Sequence, residues 1–186
     1  GAGGPVARAV AALHDLDLRG ACAAVRCQEA DTRDVAVAWL GALVLARRGD
    51  DSGAIGRLLG PVEVRTRADQ VALTLLAVAL PETERTMLAA AAEHALQRAS
   101  ERGRVAAFDG LVQGALAIAP ERAAEIGAQA VRAWRRAGRP DGARMWLARL
   151  PRGTAALDVE RALLEPDGVK AQALLALHAD APVVGP

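Results

Sequence analysis

Tyrosine and asparagine are absent from this chain, and lysine occurs once, at Lys170. Aromatic residues are Trp39, Trp134, Trp146 and Phe108 alone, 2% of 186 residues. A core so poor in rings must be built from the 52% of residues that are apolar, chiefly Ala, Leu and Val. Small side chains let helix axes approach closely. Ala and Leu are the strongest apolar helix formers, whereas strands favour β-branched and aromatic residues. The expected fold class is therefore all-α, and the length fits a single helical domain over residues 1–186.

Charge of one sign is also missing. The formal net charge is +1, without the basic excess that a dedicated nucleic-acid binder carries. The basic residues are almost all Arg, as a GC-rich coding sequence would produce, so the Arg bias by itself is no functional signal. No window approaches the roughly 18 consecutive apolar residues of a membrane span, so no membrane partner is expected. A basic start followed by an apolar run is lacking, which disfavours a secretion signal and points to a cytoplasmic protein. Residues 1–4 and 181–186 have linker-like composition, as in a domain excised from a longer protein. Cys22 and Cys27 are the two cysteines. On a continuous helix over 18–27 their side chains would point about 140° apart. That is poor geometry for a disulfide or a shared metal, so two buried thiols in a reducing cytosol are expected.

What the chain does have is helical periodicity. Its clearest stretch runs from Pro120 to Pro151. Ala123, Ile126, Gly127, Ala130, Val131 and Trp134 form one apolar stripe at three- and four-residue steps. Gly138 can take positive φ and close that helix, and Pro140 with Asp141 restarts the next. Ala143, Trp146, Leu147 and Leu150 then share a face, giving an αα-hairpin with both tryptophans as core anchors. Elsewhere helices are expected over 6–13, 18–27, 35–46, 50–59, 71–80, 83–102, 105–119, 157–164 and 169–177, about ten or eleven in all. Asp31 or Thr32 is a candidate cap for the helix at 35, and Thr83 for the one that follows Pro81. Residues 35–46 are apolar or glycine throughout, so that helix should be central and buried on all sides. Residues 62–66 form a connector of undefined form.

Three turns share a form: Arg47-Arg48-Gly49, Glu101-Arg102-Gly103 and Arg136-Ala137-Gly138. Gly103 and Gly138 are 35 residues apart, close to the period of about 34 residues of tetratricopeptide repeats. Superposing the glycines aligns Leu45, Ala99 and Trp134 before the turn. It also aligns the small residues Ala38, Ala92 and Gly127, and Ala54, Phe108 and Ala143 after it. With Ala54 and Ala143 at the small position, Asp50 as turn acid and Pro120 as closing proline, residues 31–150 resemble the tetratricopeptide family in degenerate form. Phe108 departs from the pattern, the Trp-Leu-Gly opening is absent, and the first spacing fits only if the 71–80 helix is inserted. The resemblance implies a right-handed stack of antiparallel helix pairs, a TPR-like α-solenoid, with a groove for a peptide, a partner helix or another protomer. The family's carboxylate clamp uses Asn with Lys and Arg, and it cannot be assembled here.

No zinc pair of histidines, phosphate loop, nucleophile elbow or dinucleotide fingerprint occurs, so no catalytic residue, metal or cofactor is expected. His14, His94 and His178 read as structural or exposed. The one concentrated charge feature is Arg132, Arg135, Arg136, Arg139, Arg144 and Arg149, followed by Arg152, opposed within the segment by Asp141 alone. It is a candidate patch for an acidic peptide, a phosphate or an acidic protein surface. The other reading is a solvated face partly neutralised by Glu121, Glu125 and Glu160. The expected function is a protein- or peptide-binding scaffold, a sensor or assembly module of a larger regulatory protein, self-associating through apolar helix faces in one version. The alternatives are a helical enzyme domain using Asp69, Glu93, Asp109 and Arg98, or an anion- or nucleic-acid-binding module using the arginines.

Overall fold

Eleven α-helices and no strand occur among the described residues, which in this computed structural model are 3–29, 32–60, 64 and 66–179. The chain, read above as one helical domain, divides into two compact units, Gly1–Pro120 and Glu121–Pro186. The first holds α1 (Pro5–His14), α2 (Leu18–Val25), α3 (Val35–Arg47), α4 (Asp51–Leu58), α5 (Arg67–Ala79), α6 (Glu82–Glu101) and α7 (Phe108–Ile118). The second holds α8 (Ala123–Arg136), α9 (Pro140–Arg149), α10 (Ala155–Leu164) and α11 (Gly168–Ala176).

Local chemistry sets the helix starts. Asp17, Asp34 and Asp50 each accept a hydrogen bond from the backbone N–H three residues on, at 2.8, 3.1 and 2.8 Å. Such a side chain satisfies one of the N–H groups a helix leaves orphaned. Asp34 rather than Thr32 is thus the cap of α3, and Thr32 instead accepts from the Asp34 N–H. The alternative cap Asp31, the connector positions 62, 63 and 65, and the segment 181–186 lie outside the described residues. Thr66 and Asp69 form a reciprocal capping box, which starts α5 four residues ahead of its apolar run. Thr83 does not cap α6. Pro81, extended at φ −58° and ψ 155°, already offers its carbonyl to Glu84 and Arg85.

Five turns end helices in the same way. Gly49, Gly103 and Gly138 have φ of 80°, 66° and 71°, and the N–H of the next residue bonds the carbonyl of Leu45, Ala99 or Trp134 at 2.8–3.0 Å. Leu16 (φ 59°) and Arg26 (φ 48°) adopt the same left-handed geometry without glycine. Asp17 then bonds Ala12, and Cys27 bonds Cys22. The positions aligned across the three glycine turns are all buried, including Phe108.

The turn at Arg26 overturns the reading of the cysteines. α2 stops at Val25, so Cys27 is not five helical steps from Cys22 but folded back over it. Their Cα atoms stand 4.9 Å apart, within disulfide range, and the two are joined as a disulfide. Neither is a free thiol.

In the first unit α1 packs on α2, α3 on α4, and α6 on α7. α5 breaks the alternation and lies against α7 and α3. α3 is buried from Val35 through Leu45, as a helix without a polar face requires. α1, α2, α4, α5 and α6 surround it. Trp39 presses so closely on α7 that a Cβ at Gly114 would collide with its ring. In the second unit α8 packs on α9 and α10, and α10 on α11. Both expected stripes meet there: Leu150 fills the space that a side chain at Gly127 would need, and Trp134 does the same at Gly142.

The turns give a sign-opposed pair of substitutions within the first unit. Gly103→Ala should destabilise it by about 1–2 kcal/mol, because an L side chain is strained at positive φ. Gly56→Ala, inside α4 with open space at its Cβ, should stabilise it by about 0.5–1 kcal/mol. Urea unfolding followed by circular dichroism at 222 nm distinguishes the two.

Candidate functional site

The arginines of α8 and α9 do not act as one patch. Arg132 and Arg135, one helical turn apart, both reach the carboxylate of Glu160 on α10, with Nε 3.1 Å from one oxygen each. Glu160 is 2% exposed. A buried carboxylate held by two charge-assisted hydrogen bonds is a structural tie between α8 and α10. Arg144 pairs with its own neighbour Asp141 at 3.3 Å, and Arg149 lies 5.6 Å from the centre of the Trp146 ring. Arg136, Arg139 and Arg152 are exposed, and make no ion pair among the described residues. The local positive excess that faces solvent therefore rests on fewer groups than the sequence count.

A second buried carboxylate, Asp158, stands two residues before Glu160 at 4% exposure. Arg161 reaches it at 2.8 Å and the His178 Nε2 at 2.8 Å. Burial opposes its ionisation, but the hydrogen bonds from His178 and Arg161, with their charges, outweigh that and hold its carboxyl below the usual range. Arg161 also donates to the carbonyls of Leu147, Leu150 and Pro151 at 3.1–3.2 Å, closing the C-terminal end of α9. Sequence periodicity could not find these ties, because the partners lie up to 28 residues apart.

In the first unit a cleft of about 230 Å³ is lined by Cys27, Glu29, Leu45, Asp50, Gly53 and Arg57, among others. Arg57 crosses from α4 over Gly41, where a Cβ would strike its guanidinium. Its Nε donates to Ala38 O at 3.2 Å, Nη2 to Val25 O at 3.1 Å, and Nη1 to Cys27 O at 3.4 Å and to Glu29 O. One side chain thus satisfies the last carbonyl of α2, pins the loop behind it and ties both to α3. Desolvation lowers the Arg57 pKa from its ordinary value, and the charge of Glu29 partly opposes that. At the end of α3, Arg48 Nη1 stands 3.2 Å from Cys22 Sγ and 3.8 Å from Cys27 Sγ.

The residues considered for an enzyme site sit on different elements. Asp69 is engaged in the capping box of α5, accepting from the Thr66 N–H, and Arg98 pairs with Glu101 on the exposed side of α6. Glu93 and Asp109 are half-buried on α6 and α7. His14 bonds the Ala79 carbonyl at 3.3 Å. His94 is exposed beside Asp51 in a smaller cleft of about 130 Å³. Among the described residues no group of His, Cys, Asp or Glu could hold a metal ion, and no helix is long and apolar enough to cross a membrane. α5 nonetheless exposes Val71, Leu75 and Val78 at 49%, 65% and 82%. Spaced i, i+4 and i+7, they form one apolar stripe along the helix.

The Asp158 ties give a pH test with a fixed sign. A carboxyl whose pKa is lower folded than unfolded adds stability above its unfolded pKa of about 3.9, and loses it as pH falls through the folded value. Asp158→Asn should therefore cost about 3–5 kcal/mol at pH 7. The parent should lose urea stability below about pH 4, and the substitution should flatten that fall.

Comparison with known proteins finds no matching family, no similar curated sequence and no similar solved structure.

Proposed function

We propose that this chain is a protein-binding helical scaffold, and that it lays an amphipathic helix of a partner protein along α5. The observation that carries this reading is the Val71, Leu75 and Val78 stripe, a row of large apolar side chains left open to water. Apolar side chains at i, i+4 and i+7 make the one-sided row that packs against the apolar face of another helix. Water-exposed apolar rows of this kind mark interaction surfaces more often than random surface does.

The wider setting is a tetratricopeptide-like array in degenerate form, a right-handed stack of antiparallel pairs serving as the sensor or assembly module of a larger cytoplasmic regulatory protein. The repeated left-handed turns and the buried aligned positions around Gly49, Gly103 and Gly138 support the repeat. The displaced packing of α5 on α7 and α3 supports its reading as an inserted helix. A second reading, recognition of an acidic segment, is favoured only by exposed Arg136, Arg139 and Arg152.

Leu75→Asp and Val78→Asp place a charge on the stripe without touching a buried residue. Each should leave the thermal midpoint within a few degrees and weaken partner binding about tenfold or more. In the parent complex, hydrogen exchange should slow across residues 71–78 when partner is added. Partner affinity unchanged by both substitutions would remove the reading. A parent dimer by sedimentation that becomes monomeric in Leu75→Asp would instead make a second copy the occupant.

A further inference from the structure

We infer that Cys22–Cys27 is a reversible dithiol–disulfide site whose reductant is a small or protein-borne dithiol, entering at Cys27 and expelling the Cys22 thiolate onto Arg48. Three observations place the two sulfurs in different roles. Cys27, itself only 3% exposed, lines the cleft between the 27–29 loop and α4, and that cleft is the approach an incoming thiol would take. Cys22 stands in the last turn of α2, and its sulfur is the nearer to Arg48 Nη1, at 3.2 Å against 3.8 Å. A guanidinium there lowers the pKa of the departing thiol, and the rate of thiol–disulfide exchange rises as the leaving thiol becomes more acidic.

Other charges stand near the pair, among them Arg26, next to Cys27 in the chain and 3.5 Å from the Glu29 carboxylate. Arg57 reaches in from α4, Glu29 lies on the loop, and Asp50 caps α4 with its carboxylate bound to the Gly53 N–H. The helix carbonyls at the end of α2 disfavour an anion on Cys22, which leaves Arg48 as the contact that opposes them. The bridge closes a loop of only a few residues. It therefore constrains the unfolded chain much less than a long-range disulfide would. Arg57 anchors the same loop through the Val25, Cys27 and Glu29 carbonyls whether or not the sulfurs are joined. Reduction can thus open the bridge while the helices stay folded.

The exchange balances as two displacements. A thiolate of the dithiol attacks Cys27 Sγ, the Cys22–Cys27 bond breaks, and Cys22 leaves as a thiolate beside Arg48. The second thiol of the reductant, deprotonated, attacks its own sulfur in the mixed disulfide and releases Cys27. The reductant leaves as a disulfide, two electrons have passed to the cysteines, and each sulfur takes one proton. Oxidation by a small disulfide runs the same steps in reverse, with Cys22 as the resolving thiolate.

Dithiothreitol reduction of the air-oxidised protein at pH 7, quenched by alkylation and read by intact mass, tests this directly. Arg48→Gln should slow reduction about three- to tenfold, and Arg48→Lys should stay within about twofold of the parent. The reduced parent should keep its helical circular dichroism. Should Arg48→Gln not fold, the single variants decide. With iodoacetamide, Cys22 in Cys27→Ser should titrate at a lower pH midpoint than Cys27 in Cys22→Ser. Equal reduction rates for Arg48→Gln and the parent would overturn the proposal. So would a Cys22 midpoint at or above that of Cys27, loss of helicity on reduction, or oxidised protein that lacks the bridge.

Discussion

A helix with no polar face sets the terms for everything around it. α3 carries buried side chains or glycine at every position from Val35 to Leu45, so water must be excluded from its whole circumference rather than from one stripe. Fully burying a Leu or Val side chain is worth about 1.5–3 kcal/mol, and this helix presents six of them with Trp39. Five helices are recruited to cover it. Close approach also requires small facing residues, as where Gly114 of α7 meets Trp39. The near absence of rings follows from the same demand, since a second large ring beside Trp39 would hold a neighbouring helix off.

Packing of this kind leaves few side-chain partners for helix ends, and the arginines fill that gap. Arg57 closes α2, Arg161 closes α9, and Arg132 with Arg135 neutralises Glu160. A planar fork with five donors can serve several carbonyls at once, which a lysine ammonium cannot do in one plane. An Arg bias that coding composition would supply without selection has been put to structural use at specific sites. That use also limits function, because a guanidinium committed to a buried carboxylate is not available to a ligand.

Local order was legible wherever the signal is local. Helix existence, the central place of α3 and the meeting of the Trp134 and Trp146 stripes all follow from periodicity. Gly49, Gly103 and Gly138 announced their turns because glycine is the residue that adopts positive φ freely. Leu16 and Arg26 make the same turn with no such marker, so the chain was read as helical through Cys27 and the disulfide was missed. The caps Asp34 and Pro81 were misplaced by two or three residues, since several polar residues there could compete for the same N–H groups. The ties to Glu160 and Asp158 depend on which helix faces which, and no single-helix pattern encodes that.

The Arg26 turn links these levels. Its left-handed backbone ends α2, aims the carbonyls of Val25, Cys27 and Glu29 at Arg57 and returns Cys27 to Cys22. A continuous helix to residue 27 would have separated the sulfurs and taken the loop carbonyls away from Arg57, leaving it the Ala38 carbonyl of α3. The strain of a non-glycine residue at positive φ, of order 1–2 kcal/mol, is offset by several hydrogen bonds of about 0.5–1.5 kcal/mol each, more where a guanidinium donates. Because those bonds involve backbone and Arg57 rather than sulfur, the turn does not depend on the bridge. The cysteines are thereby free to change oxidation state on a scaffold that holds its shape by other means.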